Sequence, residues 1–438
     1  MAFSVQEKSP SYLPIEGDIP VDLPNGSFIS ITRQTPLKIY SLGFQPAKSI
    51  PEIPRWVLQK YGTNKPFTVL EPFAGSGTTL IESLRQQASV YWLDYHPLSR
   101  LICRVKTTQF SPGDLLENTF KIIQSAYIHK NAPETVQFAN KDFWFQDAVQ
   151  EGLEILKDYI SQSPEKNQPL LWIGFASTVR KTSNMNDGML LAARRANFEK
   201  IPERSREDVF EYFQGYVERA IEAVQEWQTV CPDFEKAQEL PSQDARDLAG
   251  NWTCDAIVTS PPYINAIDYV WASKFELHWL EMVRDDKARL ELYSQEIGTE
   301  RIPRDQYKKL GKTGNSLLDS LIEDIYTGKK YQASKGQNEL RARVVYQYFV
   351  DMKTHFLQSS SHLKPGGYYC FSIGDISKIC GVEIPVALIL KEMAEAAGLR
   401  EIFNFNLLLK NRKLNLPRNV DWAGTIKHDQ VIILKKSL

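Results

Sequence analysis

The chain of 438 residues has only five cysteines, and Cys103, Cys231, Cys254, Cys370 and Cys380 form no Cys-x-x-Cys pair and have no histidine at metal-ligand spacing. Neither a zinc site nor a disulfide framework is expected, and the five read as small buried hydrophobes. No apolar run reaches the roughly 18 residues of a bilayer span, and Met1 to Pro10 lacks a hydrophobic signal core. A cytoplasmic protein with no membrane partner is expected. Positive charge is not in excess either: 52 Lys and Arg against 53 Asp and Glu leave a net charge of −1. Nonspecific nucleic-acid affinity comes from Lys and Arg neutralising phosphates, so any such surface has to be local. There are no internal repeats and no low-complexity tracts. The length calls for one large decorated domain or two.

Two motifs stand out. In Val69-Leu70-Glu71-Pro72-Phe73-Ala74-Gly75-Ser76-Gly77-Thr78-Thr79 an apolar strand breaks into a glycine turn and opens an amphipathic helix. Glycines let backbone approach a ligand closely, and the free NH groups of a helix start favour a polar or anionic group. No third glycine follows Gly77 at dinucleotide spacing and there is no Gly-Lys-Ser/Thr phosphate loop, which disfavours a phosphate cradle. The second motif, Thr259-Ser260-Pro261-Pro262-Tyr263, follows the strand-like run Asp255 to Val258. Its two prolines lack backbone donors and hold a rigid turn, which presents a small hydroxyl and an aromatic ring just past a buried strand. Such a turn can seat a planar base.

Together the motifs resemble those of the S-adenosylmethionine-dependent amino-methylating DNA methyltransferases, specifically the cytosine-N4 group. In that family Phe-x-Gly-x-Gly holds the cofactor, matched by Phe73, Gly75 and Gly77, and Ser-Pro-Pro-Tyr holds the target base, matched by Ser260, Pro261, Pro262 and Tyr263. The resemblance implies an α/β fold with a doubly wound Rossmann-like methyltransferase sheet, a helical insertion and a basic insertion. It also implies S-adenosyl-L-methionine as cofactor and double-stranded DNA as partner, and it leaves room for a companion restriction endonuclease acting on the same site. Ser260 tilts the reading toward cytosine, because adenine-N6 enzymes more often carry Asp or Asn there. Methylation of cytosine at ring carbon C5 needs a thiolate adduct from a Pro-Cys loop. The chain has no Pro-Cys, only Cys231-Pro232 in reverse order. Adenine-N6 methylation, an RNA base methyltransferase and a noncatalytic nucleic-acid-binding module are the alternatives.

Further cofactor-binding residues follow from the same resemblance. The segment around Ala47 and Lys48, ahead of the helix carrying Trp56 and Leu58, corresponds to the one that closes over the methionine end. Glu71, Ala74, Ser76 and Thr78 complete the glycine turn. Asp94, at the tip of the strand-like run Ser89 to Leu93, is the expected ribose ligand, and Asp244 is expected to reach the adenine. Three regions are expected: 1–111, an N-terminal arm with the cofactor-binding half; 112–237, a helical insertion in which apolar residues recur three and four apart; and 238–438, the catalytic half.

Within this last region, 283–345 is locally basic and glycine-bearing, with Arg301, Arg304, Lys308, Lys309 and Lys312, then Lys329, Lys330, Lys335, Arg341 and Arg343. It reads as a flexible backbone clamp and base reader, with Arg301, Arg304, Lys308, Lys309 and Lys312 as DNA-binding residues. The region around Arg180, Lys181, Arg194 and Arg195 is the second choice.

Overall fold

The computed structural model describes residues 11–32, 36–63, 66–129, 134–186, 189–194, 200–231, 233–264, 267–334, 336–409 and 426–438. Its centre is a nine-stranded sheet. In chain order the strands are β1 (Leu13–Glu16), β2 (Ser27–Thr32), β3 (Thr68–Glu71), β4 (Ser89–Trp92), β5 (Ala237–Glu239), β6 (Cys254–Thr259), β7 (Leu363–Gly374), β8 (Ile376–Ile379), β9 (Val382–Pro385), β10 (Leu399–Leu408) and β11 (His428–Lys436). The large sheet runs β1-β2-β10-β11-β7-β6-β3-β4-β5, while β8 and β9 form a separate hairpin. All neighbours in the large sheet are parallel except those of β11, which is antiparallel to both β7 and β10. This is a Rossmann-like methyltransferase sheet.

The central strands read as nearly continuous apolar runs because helices cover both faces. Successive residues alternate between two cores: Val69, Val258 and Cys370 join one, and Leu70, Ile257 and Phe371 the other. Strand order reverses between β3 and β6, so the turns leaving their carboxyl ends are where a ligand is expected.

Two long crossovers carry the rest. Between β4 and β5 lie the helices Pro112–Ile128, Asp147–Ser161, Gln168–Thr182 and Arg206–Val230. The last two pack so closely that a Cβ on Gly174 would come within 2.4 Å of Val217. Between β6 and β7 the chain passes through the helices Ser316–Tyr326 and Gln337–His362.

Several expectations need correction. The N-terminal segment is more than an extended arm, because β1 and β2 join the sheet beside β10, with Ile29 fully buried. Their partners lie either in each other or almost four hundred residues away, a pairing that local composition does not encode. The basic stretch is less flexible than its glycines suggest: Leu318, Ile322, Ile325 and Val345 are buried, so its second half is packed helix, with Lys329 and Lys330 exposed but Arg341 drawn inward onto Glu300. The hairpin β8–β9 follows β7 directly. The five cysteines are free and buried. Arg195 and Lys335 lie outside the described residues.

Candidate active site

At the end of β3, Glu71 is buried and its carboxylate collects three donors: the Phe73 NH at 3.0 Å, the Thr79 hydroxyl at 2.6 Å and the Thr259 hydroxyl from neighbouring β6. These bonds tie the glycine turn, the helix Thr78–Arg85 and the Ser-Pro-Pro-Tyr turn to one side chain. Burial pushes the Glu71 carboxyl up to about 8 even though the three donors pull the other way. Gly75 and Gly77 sit at φ +51° and +77°, the left-handed region that side chains resist, which explains the two glycines. A Cβ at Gly77 would touch Cys103 and Lys106 at ordinary contact distance, while one at Gly75 would meet little.

Asp94, just beyond β4, accepts the Gly75 NH at 2.7 Å and the His96 NH at 2.8 Å. Burial holds its carboxyl up near about 6 against those two bonds. Both carboxylates therefore make stability pH-dependent, and the sign is fixed. Their ordinary values are 4.5 for Glu71 and 3.8 for Asp94, so between about pH 4 and 8 the folded chain holds more protons than the unfolded one. Stability then falls as pH rises through that window. We expect Glu71→Gln to flatten the fall between pH 5 and 8 in urea unfolding, and a slope identical to the parent's would contradict this assignment.

Behind the turn, Lys106 is fully buried and donates to the Ser76 carbonyl at 2.8 Å. Burial, with the Lys48 charge nearby, holds its ammonium down to about 7. Ser76 and Thr78 share a hydroxyl contact at 3.2 Å, and Ala74 is anchored through its NH to the Leu93 carbonyl. Phe73 packs against the imidazole of His355, whose other contacts are the Ala245 carbonyl and the Tyr369 hydroxyl.

In the second motif the Ser260 hydroxyl donates to the Ser372 carbonyl on β7 at 3.2 Å, which leaves its lone pairs directed elsewhere. Pro261 is buried, and the Pro262 carbonyl accepts the Tyr348 hydroxyl at 3.1 Å. The Tyr263 hydroxyl donates to Asp429 on β11 at 2.5 Å. A small cavity of about 20 Å³ lies between Thr79, at the end of the first motif, and Ser260 of the second. It is lined by Thr79 from the helix after the glycine turn, Ser260, Ser372, Asp429, Ser49 from the segment ahead of the helix Glu52–Tyr61, and Ile53 from the first turn of that helix.

The other expected residues are placed differently. Ala47 and Lys48 are exposed, and the Lys48 ammonium donates to the Tyr40 and Gly43 carbonyls. Asp244 is held in a bidentate fork by Arg246, which also pairs with Asp351. Arg301 pairs with Asp268, Lys309 with Asp305 and Lys312 with Asp319, all on the surface. Arg304 and Lys308 are exposed without an ion-pair partner among the described residues. Arg180, from the second-choice surface, is engaged internally with Glu276 and the Phe44 ring. Thr79, Ser372 and Asp429 escaped the sequence reading because nothing marks a threonine, a strand serine or a strand aspartate as site residues until the sheet order places them.

The type II methyltransferase M.MvaI of Kocuria varians is 24% identical over 429 residues, covering 89% of each chain. Over most of its length the chain is similar to type II methyltransferases. M.BsoBI of Geobacillus stearothermophilus is 24% identical over 420 residues, 86% of this chain and 81% of that methyltransferase. M.AvaI of Anabaena variabilis is 27% identical over 151 residues, a third of this chain. No family model matches the chain. Among the described residues no helix is long and apolar enough to cross a membrane.

Proposed function

We propose that the protein is a site-specific DNA methyltransferase of restriction-modification type that transfers a methyl group from S-adenosylmethionine to the exocyclic N4 amine of a flipped cytosine. The observation that carries the reading is the cavity shared by Thr79 and Ser260, which puts a nucleotide-type helix start and a base-seating turn on one space. The relatives M.MvaI and M.BsoBI, matched over most of their length, support the type II methyltransferase part of this reading.

The residues present suit the cofactor. Gly75 and Gly77 leave its path clear, the NH groups opening the helix Thr78–Arg85 favour its polar end, and each Asp94 oxygen keeps acceptor capacity for a ribose hydroxyl beyond its backbone bond. When bound, S-adenosylmethionine supplies an electrophilic methyl on a cationic sulfur, a charge that an aromatic face such as that of Phe73 would favour. Asp244 serves the adenine end only if its fork with Arg246 opens.

The chain's own residues handle the base. The amine lone pair is delocalised into the ring, so it attacks only when both its hydrogens are held out of plane. Ser260, with its own proton committed to Ser372, accepts one hydrogen, and the Pro261 carbonyl accepts the other. That is positioning plus electrostatics with no covalent adduct. The base leaves the duplex at a cost of a few kcal/mol, and stacking on Tyr263 returns about 1 to 3 kcal/mol of it.

The test is incubation with mixed DNA, RNA and tritiated S-adenosylmethionine, followed by digestion to nucleosides. Label in N4-methylcytosine from DNA is the expected result. Label in N6-methyladenine or in RNA nucleosides overturns that specificity.

DNA contact is assigned to the basic stretch 283–345, with Lys308 its most available cation. Replacing Lys308, Lys309 and Lys312 with glutamine should weaken DNA binding and reduce its salt dependence by about 0.9 unit per lost phosphate contact. Fluorescence anisotropy across salt concentrations measures both, and a slope equal to the parent's would move the interface elsewhere.

A further inference from the structure

The cavity beside Ser260 contains a carboxylate that the amine-positioning scheme does not use. Asp429 is 2% exposed, lies opposite Gly374 in the β7–β11 register, and lines the same cavity as Ser260 and Ser372. Because β11 runs antiparallel, its first residues emerge at the edge where the parallel strands end, which is how a residue so late in the chain reaches this site. A buried carboxylate costs several kcal/mol unless polar partners compensate it. Here one partner is the Tyr263 hydroxyl, from the turn that presents Ser260. A strand position so enclosed by β7 and β10 suits an apolar residue, and Val431 to Leu434 on the same strand are all buried and apolar.

We propose that Asp429 is the catalytic base of the site, taking the proton that the target amine must lose. The inference rests on the amino-methylating reading above. As the amine nitrogen bonds to the methyl carbon of a sulfonium donor, the carbon–sulfur bond breaks with its electron pair going to sulfur, and the positive charge passes to the amine. The N–H bond then breaks with its pair remaining on nitrogen, and the proton moves to an Asp429 oxygen and on to water. A carboxylate is suited to this step because a methylated, positively charged exocyclic amine is far more acidic than the carboxyl that receives its proton. Ser260 cannot take the proton, since its own hydroxyl is committed to the Ser372 carbonyl and the oxygen lacks a negative charge. The Tyr263 hydroxyl orients the acceptor and, through the same bond, couples the stacking ring to it.

The test uses the full chain, DNA carrying its methylation site and tritiated S-adenosylmethionine in single-turnover mode. Asp429→Asn keeps the shape and an oxygen to accept from Tyr263, so folding and DNA affinity should hold while the transfer rate falls at least 30-fold. Asp429→Ala should be slow as well, but added formate should restore its rate at least tenfold, and formate should do nothing for Ser260→Ala. Thermal unfolding and DNA anisotropy without the methyl donor are read alongside. A rate for Asp429→Asn within threefold of the parent overturns the proposal. So does loss of DNA binding in Asp429→Asn, or a slow Asp429→Ala that formate does not rescue, since either makes the residue structural. A parent protein that labels no nucleic acid instead sinks the reading of the whole site.

Discussion

Ser260→Ala is expected to lower single-turnover methyl transfer about 100-fold, the effect of removing one preorganised hydrogen-bonding group at a developing charge, while DNA and cofactor affinities stay within a few-fold. The reason lies in when the bond matters. In the ground state the amine is planar and bonds weakly out of plane, so Ser260 contributes mainly as nitrogen pyramidalises. The Ser372 carbonyl fixes the hydroxyl's direction before the base arrives, so no reorientation is needed during the step. Alanine leaves the two prolines and Tyr263 in place, and the turn should keep its form. Normal turnover by this variant on the protein's true substrate would refute the amine-positioning role.

A still larger effect is expected on cofactor affinity from Asp94→Ala, with Gly75→Val as its companion. The Asp94 carboxylate anchors the glycine turn through Gly75 and is the proposed acceptor for ribose. Hydrogen bonds to a charged group are worth about 1.5 to 3 kcal/mol each, so losing two on a ribose weakens binding by at least about 100-fold. The variant also strands the Gly75 and His96 NH groups in a buried place. Gly75→Val acts differently: its Cβ would meet only the Phe73 carbonyl at 3.7 Å, so the penalty comes from forcing a branched residue to φ +51°. Such strain costs of order 1 to 3 kcal/mol, and the turn relieves it by withdrawing from the ligand. Calorimetry on folded variants measures both. Undiminished S-adenosylmethionine affinity in the pair would show that this turn is not the cofactor site.

The parallel half of the sheet was legible because each of its strands is locally marked. Thr68 to Glu71 ends in a glycine turn, Ser89 to Trp92 leads to an acid, and Cys254 to Thr259 ends in two prolines. The long helices between β4 and β5 were legible from their apolar spacing. β1 and β2 were not, since four or six residues with partners in each other and in β10 carry no local signature. Nor could sequence tell that Arg246 would close on Asp244, or that Lys48 would turn to backbone carbonyls. Both contacts are local, within eight residues, and depend on how each loop's backbone turns, which residue type alone does not encode. Asp429 is the plainest case: His428-Asp429-Gln430 looks like a polar strand start, and only the reversed direction of β11 puts it beside Ser260.

That reversed strand also bears on how the molecule is built. β11 is the last described strand to leave the ribosome, yet it is inserted between β7 and β10 rather than added at a margin. β10 and β2 make no direct contact with β7 in the sheet, so although Phe403 and Phe405 of β10 pack on Trp56, no backbone pairing joins that half of the sheet to the rest until β11 arrives. Pairings of such long sequence separation form slowly and leave apolar edges open meanwhile. A nascent chain therefore holds a nearly finished glycine turn while the cavity beside Ser260 still lacks Asp429, and that cavity is complete only once β11 is threaded into place.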